Sequence, residues 1–489
     1  MTITTHSTDL TEGAHALGEH RSLTLAALKS TTRRQALKLA GAAALGTALR
    51  LRAQRRVFDA RDYGAKGDGV ALDTGAIQKA IDAAAASGGQ VLLRGGQKYL
   101  VSTLVLKGAI DFHLADDAEL LASINRADYP GDADGILTAH QATGLKISGT
   151  GNINGRAREF MTGYNQAGEI WRFGPFRPKI FVLAGCKDLE VRDISFSDAP
   201  FWGLHMIGCE RVLVDHVKVR NLLDVPNCDG IDPDHCRDVE IRNCDIVCGD
   251  DAIVVKSTRQ PVDYGACSNV WVHDCAMTTK DSGLKIGTET VDDISNIRFE
   301  RCEIRSSCRA LTIQLRDEGN VRDIQFSDIR FVTQYQAAPW WGRGEAISLT
   351  AIPRTKDTKV GKITGVRVRN VTGRAENSAR IDGTAGSRIA DVTLDNVDLT
   401  LDRWTAYPGP IFDNRPTTAV PDLEPHRTPG YSIRYADNVT FRNCKLAWGQ
   451  NKPEYFTHAL EAENVSGLAI THFTGDAAHP ERDEAIVVR

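Results

Sequence analysis

The chain of 489 residues lacks a strong charge of either sign: 59 basic residues face 63 acidic ones, for a net charge of -4 and a pI near 6.4. That balance supplies no basic field for nucleic acid, and the acidic excess is too small for a solvated acidic tail. The apolar run from Leu39 to Leu49 is well short of the roughly 20 residues a membrane-spanning helix requires, so no membrane anchor is expected. The 11 cysteines contain no C-x-x-C and no Cys/His pairing, which argues against a zinc or iron–sulfur site. No low-complexity linker sets off a second domain, and no coiled coil is present.

The N-terminal region carries Arg33-Arg34 ahead of the Ala- and Gly-rich apolar run, the pattern of a twin-arginine export signal. Residues 1–53 are therefore expected to form an export signal with an N-terminal extension, followed by one domain over 57–489 acting as a monomer in the periplasm or outside the cell. Within that domain a pattern recurs: CKDLEVRDISF from Cys186, CERVLVDHVKV from Cys209, CRDVEIRNCDI from Cys236, CSNVWVHDCAM from Cys267, ISNIRFERCEI from Ile294 and VRDIQFSDIRF from Val321. Period-two alternation inside each segment marks short strands, and recurrence every 23 to 31 residues marks stacked coils. The fold predicted is all-β, a right-handed parallel β-helix, with the Ala-rich segment Asp73–Ala86 as an N-terminal capping helix. Cysteines that recur at one repeat position read as inward ladders, with Cys302–Cys308 and Cys244–Cys248 as alternative local disulfides.

Carboxylates cluster where outward turns of such a solenoid would form a groove. Asp229 lies in NCDGID, and Asp250 and Asp251 lie in CGDDAIVVKS one coil on. Hydrolysis of a glycosidic bond with inversion needs a protonated acid at the leaving oxygen and a carboxylate about 6.5 to 9.5 Å away that holds a water. Crowded like charges raise one pKa, as an acid catalyst requires. Any single aspartate in a β-helix turn more often satisfies backbone groups, and Asp232, Asp234, Asp245, Asp292 and Asp293 are assigned that structural role.

These motifs resemble those of the polygalacturonase-like glycoside hydrolases of family 28, over roughly Val57 to Asn396. The family's N-T-D-G element matches Asn227-Cys228-Asp229-Gly230 with Cys for Thr, and its G-D-D element matches Gly249-Asp250-Asp251. The resemblance implies an inverting, cofactor- and metal-independent hydrolase of an acidic plant polysaccharide, with Asp250 as general acid and Asp229 and Asp251 activating water. Two elements depart from the pattern. The family's G-H-G-L-S-I-G is Asp281-Ser282-Gly283-Leu284-Lys285-Ile286-Gly287 here, and its R-I-K aligns with Thr312-Ile313-Gln314, so homogalacturonan and rhamnogalacturonan both stand as substrates. Asn227, Lys256, Lys285, Arg309 and Arg316 are the expected substrate contacts, since a uronate takes an arginine fork or a lysine point charge. Trp340 and Trp341 could stack on sugar rings or pack into turns; Trp202 and His205 could line the groove, although a lone histidine is more often structural. Two other classes use such a scaffold: a Ca²⁺-dependent polysaccharide lyase, in which the acids would be metal ligands, and a non-catalytic polysaccharide-binding protein.

Overall fold

A computed structural model describes residues 56–131 and 134–489; the expected export signal lies outside the described residues. From Val57 onward short strands stack coil upon coil, and nearly all pair in parallel, as a right-handed parallel β-helix. The alternation in the repeats dictates this: one set of side chains points inward, and the register places like upon like. Val191, Val214, Ile241, Val272, Phe299, Phe326 and Val368 form one such column. Within it the rings of Phe299 and Phe326 stack with centroids 5.0 Å apart. Coil corners use Asp and Asn with positive φ, among them Asp238, Asn269 and Asn296, joined by side-chain amide bonds of 2.8 and 2.7 Å.

Helix α1 (Thr74–Ser87) covers the open end of the first coils and buries Ile77, Ala80, Ile81 and Ala84. It begins one residue later than the sequence suggests. Asp73 instead clasps the preceding Gly/Asp turn, accepting from the N–H groups of Lys66 (2.6 Å) and Gly67 (3.0 Å). All 11 cysteines are free and buried, so neither local disulfide forms. The reason is orientation: the Cys244 and Cys302 thiols donate to the carbonyls of Arg242 and Glu300 along the Cys244–Cys275–Cys302 column, while Cys248 turns to the carbonyl of Asp250.

One wall of the solenoid carries the site. Its strands are β1 (Lys179–Ala184), β2 (Leu204–Ile207), β3 (Ile231–Asp234), β4 (Ile253–Ser257), β5 (Ser282–Thr290), β6 (Arg309–Leu315), β7 (Glu345–Ala351), β8 (Ala379–Asp382) and β9 (Tyr431–Arg442). Ile231, Ile253, Leu284, Leu311 and Ile347 align on its inner face. The alternate positions, including Asp232, Lys256, Lys285, Gln314 and Arg316, therefore point outward. Three insertions enter this wall from its turn edge: a hairpin of Met161–Asn165 with Ile170–Phe173 ahead of β1, residues 334–344 ahead of β7, and residues 402–430 ahead of β9.

Candidate active site

The turns entering β3, β4 and β5 are short and stacked, which brings Asp229, Asp250, Asp251 and Asp281 together. Glycine makes the stacking possible at two points. A side chain at Gly230 would meet the Ala252 carbonyl at 2.3 Å, and one at Gly249 would meet the Val225 carbonyl at 2.5 Å. Cys228, standing where the family has Thr, links the same turns: its sulfur accepts from the Gly249 N–H at 3.0 Å, and its thiol donates to Val225 at 3.1 Å.

One oxygen from each of Asp229, Asp250 and Asp251 lies within 4.8 Å of the others. That is tighter than the 6.5 to 9.5 Å carboxyl separation about which the sequence reading was built. It nevertheless suits a water: two hydrogen bonds of about 2.8 Å opened at a tetrahedral angle place their acceptors roughly 4.6 Å apart. The cavity above the acids measures about 230 Å³ and is also lined by Trp202, Asn227, Lys256, Asp281, Lys285, Glu289, Trp340 and Trp341.

Each acid has a distinct environment. Asp250 is half-buried and accepts from the N–H groups of Asn227 (2.9 Å) and Asp251 (3.0 Å). Burial, followed by the charges of Asp229 and Asp251, pushes its pKa up to about 7. Asp251, 2% exposed, accepts from Lys285 Nζ at 2.7 Å and keeps one oxygen free of any hydrogen bond. Asp229, equally buried, lies 3.5 Å from Lys256 Nζ and also keeps one oxygen unbonded. Burial and then Asp232 raise its pKa well above the ordinary carboxylate range.

Asp232 departs from the structural role expected of it. It satisfies no backbone group; both oxygens are buried without a hydrogen bond, Lys256 Nζ lies at 3.9 Å, and burial pushes it up to about 7. Strand parity in NCDGID was the available signal, since Asp232 alternates with the inward Ile231. Asp281 and Glu289 were likewise missed. Burial raises Asp281 to about 8, and its carboxylate accepts from Ser282 Oγ at 2.9 Å; Ser282, which stands where the family has histidine, is fully buried and does not line the cavity. Asp234, Asp245 and Asp293 do hold structure, bonding Thr258, Arg305 and Arg322. His205, between Lys179 and Asp234, is driven by burial down to about 4 and stays neutral.

The structure separates the five expected substrate contacts. Asn227, Lys256 and Lys285 line the cavity. Arg309 and Arg316 have no exposed surface and lie beneath residues 413–414, whose carbonyls they bond. Three clustered carboxylates are also a hard-oxygen donor set for a divalent cation. Here, however, Lys256 and Lys285 already supply counter-charge to Asp229 and Asp251. Among the described residues no helix is long and apolar enough to cross a membrane.

The model of the family described as glycosyl hydrolases family 28 matches residues 95–407. A probable polygalacturonase of Vitis vinifera is 24% identical over 427 residues, covering 78% of this chain and 85% of its own. One of Arabidopsis thaliana is 25% identical over 282 residues, 56% of this chain and 58% of its own length. Among solved structures, a family 28 exopolygalacturonase of Yersinia enterocolitica superposes with a TM-score of 0.67 at 17% identity, covering 86% of this chain and 78% of that one. An exopolygalacturonase of Thermotoga maritima gives 0.54 at 18%, covering 71% and 87%.

Proposed function

Because the chain belongs to glycosyl hydrolases family 28, we propose that it hydrolyses a pectic, uronate-bearing polysaccharide, with Asp250 as general acid and Asp229 and Asp251 placing the attacking water. The observation that carries this reading is the spacing of the three carboxylates, close enough for one water to bridge two of them while the third faces the leaving oxygen. A pKa raised to about 7 keeps Asp250 protonated in mildly acidic solution, as proton donation requires. Asp251, paired with Lys285, takes the proton of the water; Asp229, which shares a buried site with Asp232 under Lys256, orients it. Attack by water rather than by a carboxylate gives the inverted anomer.

Asn227 fixes Asp250 through its N–H and, with Lys256, Lys285, Trp202 and Trp341, forms the surface that meets the sugars. Both lysines are engaged by acids, which leaves little free positive charge at the point of cleavage. That favours rhamnogalacturonan, whose backbone alternates a neutral sugar with the uronate, as a second substrate reading. The enzyme acts as an exported monomer with its catalytic domain over 57–489, directed to export by the twin-arginine signal and N-terminal extension of residues 1–53. Retention of an Arg33→Lys, Arg34→Lys variant in the cytoplasm is the expected result, and unchanged export would remove the twin-arginine assignment.

The test of the reaction is incubation with polygalacturonan and with rhamnogalacturonan, following reducing ends, ultraviolet absorbance and the anomer first formed by NMR. Reducing ends without unsaturated product, and an inverted anomer, are expected. Unsaturated product would instead place the chemistry among the lyases.

A further inference from the structure

Further along the wall from the acids, a long insertion crosses the outward face. Residues 402–430 leave the turn edge of the sheet at Trp404, whose backbone N–H donates to Glu376 at 2.6 Å. They reach the opposite edge at Thr417 and Thr418, which bond the carbonyls of Pro353 (2.7 Å) and Arg354 (2.8 Å) just past the end of β7. Between these anchors, residues 411–416 cross the outward face of the wall.

Buried side chains from β6, from Arg316 just past its end and from β8 hold the crossing in place. Arg309 donates to the carbonyl of Asp413 (3.1 Å), Arg316 to that of Asn414 (3.3 Å) and Gln314 to that of Arg415 (3.3 Å). Arg380 donates to the Asn414 side chain at 2.7 Å. Asp413, 1% exposed, accepts from the N–H of Gly342 (2.9 Å) and from Arg415 (2.6 Å), which ties the crossing to the insertion that carries Trp340 and Trp341. The hairpin ahead of β1 joins the same structure: Glu169 accepts from Lys280 (2.9 Å) and from Tyr407 (2.6 Å). Thr312-Ile313-Gln314, the altered third element, lies on the strand that this segment crosses.

We infer that residues 411–418 dam the cleft and make the site a pocket for a chain end. The crossing over β6 stands two strands from β4, roughly 10 Å at the usual strand spacing, which leaves room for one or two sugar rings beyond the acids. A cut inside a polymer needs chain on both sides of the broken bond, and the dam removes one side. The enzyme therefore releases short products from one end of its substrate. This inference rests on the hydrolase reading above.

Polygalacturonan and end-labelled oligogalacturonides, digested by the full-length protein, decide it. Monomer or dimer as the first product, label released from one end only, and viscosity that falls slowly relative to reducing ends are expected. Early mid-sized oligomers with a steep fall in viscosity would overturn the inference while leaving the hydrolase reading intact. If no bond is broken, the hydrolase reading fails instead, and hydrogen exchange judges the dam independently. The amides of Asn414 and Thr418, bonded to the carbonyls of Asp422 and Arg354, should exchange far more slowly than an open loop. Exchange at the open-loop rate would mean that the cleft is not closed.

Discussion

Asp250 meets opposing demands, since the burial that makes it an acid also penalises its charge. Its pKa of about 7 lies above the ordinary 3.8, so the folded chain holds a proton that the unfolded chain releases between those values. Stability is lost as pH rises across that window, and the loss is complete above about pH 7. Asp250→Asn, which cannot ionise, should raise the Tm over the parent most at pH 8 and least at pH 4, as thermal unfolding at the two pH values will measure. The same substitution removes proton donation and should lower kcat by about 10²- to 10⁴-fold in a reducing-end assay. In the parent enzyme, activity should decline as pH rises through about 7 and Asp250 loses its proton. Lys285 belongs to a buried pair with Asp251, so Lys285→Ala strands a carboxylate and should cost about 3–5 kcal/mol in urea unfolding.

At the scale of strands and turns, the repeated columns do the organising. Apolar columns form the core, Asn and Asp corners bond along the axis, and thiols stack where a small apolar side chain fits. A protein expected to be exported would ordinarily oxidise its cysteines. Here they are buried in the solenoid, and none is paired. Thiol titration should find 11 free thiols after denaturation without reductant, and close to none in the native protein; a shortfall after denaturation would reveal disulfides. The turn edge of the active-site wall is built differently, from short turns at the acids and long insertions on either side. The repeat reading located the former, while the latter obey no period.

Considered as a whole, the molecule combines a stiff scaffold with a cleft narrowed by three insertions. The cleft's countercharge comes from Lys256 and Lys285, and the proposed hydrolysis needs no bound metal. Thorough treatment with a chelator should therefore leave the rate of hydrolysis unchanged; loss of activity with recovery on added Ca²⁺ would return the acids to a ligand role.

The sequence by itself determined the solenoid, because a buried strand column requires the same apolar character at the same repeat position, and that requirement is written periodically along the chain. It also determined that Asp229, Asp250 and Asp251 meet, since NCDGID and CGDD lie one coil apart and a coil step brings them side by side. Only the tertiary structure decided which of the expected cations line the cavity. Arg309 opens β6 and Arg316 follows it directly, and both read as groove residues until residues 413–414, about a hundred positions later in the chain, are seen to cover them. Asp232 changed role for a related reason: its environment is set by Lys256 and Asp229 from neighbouring turns, and burial by such partners has no local signature. Periodic contacts can be read from a chain because each repeat restates them. Contacts made once, by an insertion folding back over the wall, are fixed by three-dimensional proximity alone.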